Sequence, residues 1–277
     1  MVPELLFKLF NCCFKFGLFP TCWKKSVVKL IKKNSSDETY KAYRPISLLS
    51  VPGKIFESII TKRLSHFVLS RNLLSANQFG FIPQRSSIDA ISVIVNKMQK
   101  TFDDKKFGIL ISLDISKAFD SACFDIILSK LRGLNIPPNL YRMFVSFLDN
   151  RHVILPIQDF VVSKPFRRGC PQGGKSSPLL WNILINDVFD LSLPPNCHLQ
   201  AYADDFVLYC DHEDLNTCVQ NTSFVLDLLD NWSAQNHLCF NPNKTFAMLV
   251  TKRRKFIRPV LKFKNHDLIF VDHLRYL

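Results

Sequence analysis

The sequence lacks the cysteine spacings that build zinc sites or disulfide scaffolds. Its nine cysteines are an odd number scattered over 277 residues without a C-x-x-C pair, and the seven histidines complete no zinc motif. This scarcity of paired ligands excludes a zinc-ribbon or disulfide-rich class. Free thiols in a reducing compartment are expected instead.

Long apolar runs are also missing. The N-terminal stretch 5–19 is apolar, but Lys8 and Lys15 interrupt it, and it has no cationic start of the kind that opens a signal peptide. We therefore expect an amphipathic helix that packs on the protein, no membrane partner, and a protein that is not secreted.

Acidic residues are scarce relative to basic ones. Asp and Glu number 23 against 36 Lys and Arg, which gives a net charge of +13. Because 47% of the residues are apolar, the chain is expected to fold, as one large domain or two subdomains. A folded chain this basic predicts a polyanionic partner, with nucleic acid favoured over a membrane surface, and hence a nuclear or cytoplasmic location.

Two adjacent acids stand out within this basic background. Asp204 and Asp205 lie between the apolar segments 199–202 and 206–209, a pattern that predicts a β-hairpin with the acids at its tip. Carboxylates held this close repel each other unless a cation lies between them. For an isolated acid pair, a solvated hairpin tip is the simpler interpretation.

A third acid ends a predicted strand. Residues 109–113 are a short apolar run, expected to be a buried strand, and Asp114 follows at its carboxyl end, ahead of a predicted helix. A helix N-cap is the alternative role for Asp114. If this strand neighbours the hairpin, three carboxylates converge. Hard oxygen ligands without His or Cys select Mg²⁺ or Mn²⁺, and two such ions support phosphoryl transfer.

Two further segments carry groups suited to an anionic ligand. Pro45 favours an extended backbone at Arg44, so Arg44 and Lys32 could face one ligand from neighbouring strands. The Gly-rich loop that starts at 167 carries the amide Gln172, and glycines let a backbone approach a nucleotide closely. Each feature alone is weak.

Other segments predict regular elements and turns. Residues 54–69 are expected to form an amphipathic helix, and residues 77–87 a loop punctuated by glycine and proline. Residues 238–251 predict a strand, a turn and a second strand, with Lys244 at the turn, and residues 263–277 predict a closing β-hairpin.

Together, four motifs resemble those of reverse transcriptases of the non-LTR, LINE-type (Jockey-like) retrotransposon class. They are YKAYRPISLLSVPGKIFESI, LISLDISKAFDS, GCPQGGKSSPLLWN and YADD. The resemblance implies an α+β, right-hand polymerase fold, with an antiparallel palm sheet backed by helices and with the thumb absent. It implies fingers over 1–105, a palm over 106–277 with an interleaved fingers segment at about 132–166, and a whole reverse transcriptase domain over about 24–277.

The same resemblance assigns roles to individual residues. It implies two Mg²⁺ (or Mn²⁺) ions at Asp114, Ile115, Asp204 and Asp205, with Lys244 as a proton donor to pyrophosphate. Phe119 occupies the steric-gate position, where a ring excludes a ribose 2′-hydroxyl. The implied nucleotide-binding residues are Lys32, Arg44, Phe119, Gln172 and Tyr202.

The implied function is RNA-directed DNA synthesis in target-primed reverse transcription, with an RNA template, a DNA primer and dNTPs as partners. Lys175 and Ser176 depart from the family pattern, which has apolar residues there. Thumb and endonuclease domains are expected in a parent polyprotein. An RNA-dependent RNA polymerase is an alternative that Phe119 argues against, and an inactive, truncated relic that only binds nucleic acid is another.

Overall fold

Long-range contacts divide the chain into two units in the computed structural model. The first unit comprises Met1–Leu73 and Phe119–Leu184, and the second comprises Leu74–Ala118 and Ile185–Leu277. The structure describes residues 2–32, 42–157, 160–170 and 174–277, without the side chains of residues 2, 44 and 45.

The regular elements alternate along the chain. The helices are α1 (Val2–Phe16), α2 (Val51–Ser70), α3 (Ser87–Asp103), α4 (Ala118–Ser121), α5 (Phe124–Gly133), α6 (Pro138–Leu148), α7 (Ser177–Ile185) and α8 (Leu215–Gln235). The strands are β1 (Lys25–Lys32), β2 (Tyr43–Leu48), β3 (Phe107–Asp114), β4 (Arg151–Ile157), β5 (Phe160–Phe166), β6 (Cys197–Tyr202), β7 (Asp205–His212), β8 (Phe246–Thr251), β9 (Lys262–Phe263), β10 (His266–Asp267) and β11 (Ile269–Phe270). No helix in the described ranges is both long and apolar enough to cross a bilayer.

The first unit contains a four-stranded sheet in the order β2-β1-β4-β5. Strand β1 pairs antiparallel with β2 and parallel with β4, and β4 pairs antiparallel with β5. Helix α2 begins at the N-cap Ser50, whose hydroxyl accepts the Gly53 amide at 3.2 Å. Its apolar stripe of Phe56, Ile60 and Leu64 is fully buried, which confirms the amphipathic helix predicted over residues 54–69.

A buried acid fixes the start of α7 in this unit. The Glu57 side chain on α2 accepts the Ser176 amide at 2.9 Å and the Ser176 hydroxyl at 2.7 Å, and both residues are buried. A buried carboxylate needs such donors to offset its lost hydration. Ser176, one of the two departures from the family pattern, therefore satisfies an interior charge.

The second unit is built on a five-stranded sheet in the order β11-β8-β3-β7-β6. The central strand β3 pairs antiparallel with both β7 and β8, which explains its nearly uniform burial and confirms the predicted buried strand. Alternation places Leu110 and Leu113 on opposite faces. Helix α3 packs with Leu110 through Ile94, and Trp232 of α8 contacts Phe206, the partner of Leu113.

Both units thus consist of helices packed on sheets, an α+β architecture, as predicted. The free-thiol prediction also holds, since none of the nine cysteines is bridged. A strand expected near 238–240 is wrong: only an isolated bridge from Phe240 to Ile115 forms there. Residues 271–277, expected in a closing hairpin, are likewise outside any strand, while β9 and β10 form a short antiparallel pair.

Candidate active site

Strand register brings the three predicted acids to one end of the five-stranded sheet. Asp114, the last residue of β3, is the cross-strand partner of Asp205, the first residue of β7. Asp204 immediately precedes Asp205 in the turn that joins β6 to β7. Directly opposed residues of an antiparallel pair have Cβ atoms about 5 Å apart. Residues ninety positions apart in the chain therefore share one site.

The hairpin turn that presents Asp204 is tight and strained. Its central residues are Ala203 and Asp204, because Tyr202 pairs with Asp205. Ala203 has a φ of +59°, a region that costs a non-glycine residue about 1–2 kcal/mol. A positive φ at the first central position alone is the sign pattern of a type II′ turn, where glycine is usual. Neighbouring contacts must hold this conformation.

The clamp on the turn is Gln78, which is 1% exposed. Its Oε1 accepts the amides of Ala203 at 3.1 Å and Gly80 at 2.9 Å, and its Nε2 donates to the Ala203 carbonyl at 3.4 Å. A Cβ at Gly80 would lie 2.2 Å from the Ala203 nitrogen, so glycine is required for this approach. Gln78 and Gly80 therefore fix where the acids point.

The segment that carries Gln78 lies along β6 like a further strand. The Phe79 amide donates to the Ala201 carbonyl at 2.8 Å, and the Ala201 amide donates to the Asn77 carbonyl at 2.9 Å. The Arg85 guanidinium donates to the carbonyls of Ser75, Ala76 and Gln78, which closes the loop on itself. The sequence predicts this stretch as a loop punctuated by glycine and proline. No local pattern marks Gln78, which follows a second amide residue, Asn77.

Burial, and to a smaller extent repulsion between the carboxylates, raises the pKa of two of the acids. Burial is the main cause of the raised pKa of Asp204, and the nearby Asp114 carboxylate adds to it. Protein atoms around the Asp205 carboxylate raise its pKa in the same way, although part of the side chain reaches solvent, and Asp204 and Asp114 raise it further. In both cases Lys244 acts in the opposite direction. Both causes disfavour the charged carboxylates, and a cation bound between them would favour that charged form.

Lys244 lies beside this cluster on a short 3₁₀ turn, Pro242–Lys244. Its Nζ is 3.3 Å from Oδ2 of Asp114, and its side chain is 65% exposed. The Asn241 side chain caps the turn by accepting the Asn243 amide at 3.1 Å, and the Asn241 amide donates to the Asp114 carbonyl at 2.8 Å. The backbone therefore ties the lysine turn to the end of β3.

Ile115, the predicted backbone ligand, is buried and forms the bridge with Phe240. The hydrogen bonds of this bridge are made by its neighbours: the Ser116 amide donates to Cys239, and the Asn241 amide donates to Asp114. The Ile115 carbonyl therefore takes no part in the hydrogen bonds of this bridge. Its role as a metal ligand stays a prediction.

A cavity of about 420 Å³ opens against the acids. Asp114, Asp205 and Lys244 line it together with Ser112, His273 and Arg275. Side chains of both charge signs therefore line one cavity. This is the combination needed to hold a cation and an anionic group side by side.

The charge and the oxygen donors of the site suit a divalent metal ion, although the side chains are not already arranged around one. Within the described part of the chain, no three His, Cys, Asp or Glu side chains are arranged as a ready-made metal site. Asp114 is nonetheless close enough to raise the pKa of Asp204 and of Asp205, and the three carboxylates offer only oxygen donors. Such a donor set suits Mg²⁺ or Mn²⁺, and their repulsion is what a cation would relieve.

Five residues make up the predicted nucleotide-binding set. Tyr202 ends β6 beside the turn. In the first unit, the Phe119 ring packs on Trp181 with centroids 5.2 Å apart, and Lys32 is exposed at the end of β1. Arg44 pairs with Ile31, but its side chain lies outside the described residues, as does all of Gln172. The roles of all five stay predictions.

Comparison with known proteins identifies similar chains. Residues 31–262 match the family described as Reverse transcriptase (RNA-dependent DNA polymerase). The chain is 31% identical over 281 residues to a 115 kDa protein of the type-1 retrotransposable element R1DM of Drosophila melanogaster, covering 100% of this chain and 26% of that one. It is 28% identical over 256 residues to the RNA-directed DNA polymerase from the mobile element jockey of the same species, covering 88% and 28%.

Among solved structures, apo telomerase from Candida tropicalis truncated of its C-terminal domain superposes with a TM-score of 0.63 at 12% identity, covering 93% of this chain and 56% of that one. This likeness concerns the fold alone. The chain spans about a quarter of the length of the curated relatives it matches.

Proposed function

Because the chain belongs to the reverse transcriptase (RNA-dependent DNA polymerase) family and its relatives come from non-LTR retrotransposons, as its motifs predicted, we propose that it is the catalytic core of an RNA-directed DNA polymerase. The core transfers a dNMP to a primer 3′-hydroxyl during target-primed reverse transcription. The observation that carries the proposal is the register that opposes Asp114 to Asp205, with Asp204 on the adjoining turn.

In this proposal the second unit is the palm of a right-hand fold and the first unit is the fingers. These assignments follow the contact units, whose boundaries differ from the 1–105 and 106–277 expected from the motifs. The thumb and an endonuclease belong to a parent polyprotein, since the relatives are about four times longer than this chain. The RNA template, DNA primer and dNTPs are its proposed partners, in a nuclear or cytoplasmic setting.

Polymerases of this family generally use divalent metals. The carboxylates of Asp114, Asp204 and Asp205 and the Ile115 carbonyl would hold two Mg²⁺ or Mn²⁺ ions. When bound, these ions supply activation of the 3′-hydroxyl and neutralisation of the leaving pyrophosphate. The Gln78 clamp keeps the hairpin acids aimed at Asp114, so the protein does not have to reorganise during the reaction.

The other residues act on the nucleotide. Lys244, beside Asp114, donates a proton to the departing pyrophosphate. The Phe119 ring excludes ribonucleotides by volume, Tyr202 and Gln172 support the nucleotide and template, and Lys32 with Arg44 clamps the triphosphate.

Primer extension on an RNA template with Mg²⁺, with dNTPs and NTPs supplied separately, tests the proposal. We expect extension with dNTPs only. Extension with NTPs would instead support an RNA polymerase. Nucleic-acid binding without extension by either would support the relic alternative and refute the proposal.

A further inference from the structure

A dense group of basic residues lies at the end of the five-stranded sheet that is remote from the acids. Strand β3 runs from Phe107 to Asp114, and Thr251, the last residue of β8, is the partner of Phe107. Seven steps along a strand separate the two ends, about 23 Å. The basic run 252–255 follows β8 at the remote end, and Lys105 and Lys106 precede β3 there. We call these six residues the basic end.

Two rings hold part of the basic end in place. The Lys252 Nζ lies 5.4 Å from the centroid of the Phe102 ring, and the Arg253 guanidinium lies 4.8 Å from that of Phe107. Arg253 also donates through Nε to the Lys105 carbonyl at 2.6 Å. These contacts are attractive and orient the side chains. Because cations already cover both rings, the rings are not free to stack on bases.

Acids neutralise only part of this charge. Lys106 pairs with Asp104 at 3.2 Å and with Asp211 at 3.7 Å, and Lys252 approaches Asp103 at 3.8 Å. In the described portion of the chain, no carboxylate lies within ion-pair distance of the remaining members, Lys105, Arg253, Arg254 and Lys255. Residues 252–258 are all exposed, in neither helix nor strand, and so can follow an extended ligand.

We propose that the basic end is a second nucleic-acid docking site, which binds the phosphate backbone without reading bases. Phosphate suits it because the surplus charge is exposed and presented in a row. Bases suit it less, because cations cover the Phe102 and Phe107 rings and the neighbouring Phe256 ring packs edge-on against Phe107 with centroids 6.0 Å apart. A strand bound there is held away from the three carboxylates, so the site anchors nucleic acid that is not at the reacting 3′ end. The proposal does not depend on the polymerase assignment.

Equilibrium binding in metal-free buffer tests the site, because the acidic end of the sheet, formed by Asp114, Asp204 and Asp205, then repels phosphate. The probes are a DNA duplex of about 25 base pairs and a single-stranded RNA of about the same length, titrated from about 50 to 200 mM salt. Two exposed charges are removed in each of two variants of the full chain: R254Q/K255Q at the basic end, and the control K8Q/K15Q on α1. Unchanged melting temperatures establish that both variants fold.

We expect R254Q/K255Q to lower affinity at least about tenfold near 0.1 M salt and to reduce the slope of log K against log salt by about 2, while K8Q/K15Q changes neither. The probe with the larger loss identifies whether DNA or RNA is the ligand. Equal losses in both variants would show that only total charge matters and would overturn the proposal. So would no loss in either, which would leave the exposed run to an acidic protein partner.

Extension on a saturating primed template separates this proposal from the polymerase assignment. The R254Q/K255Q variant should keep the wild-type kcat, because its substitutions lie far from the carboxylates. A chain that shows no extension but keeps binding that depends on the basic end would refute the polymerase assignment alone.

Discussion

The two ends of the five-stranded sheet differ in charge and in how their side chains are held. At one end, Asp114, Asp204 and Asp205 crowd together, and a buried Gln78 holds the turn that carries two of them. At the other end, an exposed basic run follows β8. Interior hydrogen bonds position the acids, whereas the surplus charge of the basic end is carried by exposed side chains. Substitutions should therefore impair chemistry at the first and affinity at the second.

The largest expected effect is on Asp204. We expect D204N to lower the extension rate at least about 10³-fold, about 4 kcal/mol of barrier, because the amide cannot hold metal as a carboxylate does. Primer–template binding should change little. Single-turnover extension and equilibrium binding measure the two effects. Asp267, exposed beside Lys262, provides the matched control, and D267N should behave as wild type. Near-wild-type extension by D204N would contradict a catalytic role for the acids at this end of the sheet.

Lys244 should come next. We expect K244A to lower kcat about 10²-fold through loss of the proton donor. K244R keeps the charge beside Asp114 but holds its proton too tightly to give it up. This variant should therefore bind the nucleotide as wild type does and still have the low kcat of K244A. K264A, which removes the lysine paired with Asp230 at 2.9 Å, is the control. If K244R restored full kcat, charge alone would explain the role of Lys244.

Substitution of Gln78 tests whether the acids depend on the hydrogen bonds of this buried side chain for their position. Q78A leaves the Ala203 and Gly80 amides without their acceptor, so we expect a loss of about 2–4 kcal/mol in the free energy of unfolding. At temperatures where the variant is folded, kcat should fall about tenfold and KM for the template should not change, because Asp204 and Asp205 are no longer held in position. Q99A, on the exposed face of α3, is the control. An unaltered kcat in folded Q78A would show that the Gln78 hydrogen bonds do not position the acids for catalysis.

The smallest expected effect is on stability, and it is a gain in the D204N variant where the preceding substitutions cause losses. The raised pKa of Asp204 and Asp205 means that the folded protein holds their protons more tightly than the unfolded chain does. Without metal, stability should therefore fall as pH rises from the ordinary carboxyl value of 3.8 through the raised pKa values. At neutral pH, D204N should melt at a higher temperature than wild type in EDTA.

Saturating Mg²⁺ should abolish or reverse this stabilisation, because only the wild-type carboxylates gain from the cation. Thermal melts at acidic and neutral pH, with and without Mg²⁺, provide the measurement. A D204N variant less stable than wild type in EDTA would contradict the charge crowding.

Local patterns in the sequence were sufficient to locate the acids. The apolar run before Asp114 and the apolar flanks of Asp204 and Asp205 are short-range signals, and strand and hairpin follow from them. The Gln78 clamp was missed because its hydrogen bonds join residues 125 positions apart, which no local pattern records. The expected strand at 238–240 failed because a single bridge to Ile115 takes its place. Long-range pairing decided both.

The most direct test of the account is Mn²⁺ binding with a dNTP present, measured by electron paramagnetic resonance on wild type and D205N. If the carboxylates at the end of β3 and β7 hold the metal, wild type binds Mn²⁺ and D205N binds it at least about tenfold more weakly. Equal Mn²⁺ affinity in the two proteins would contradict the central claim that these acids form the metal site.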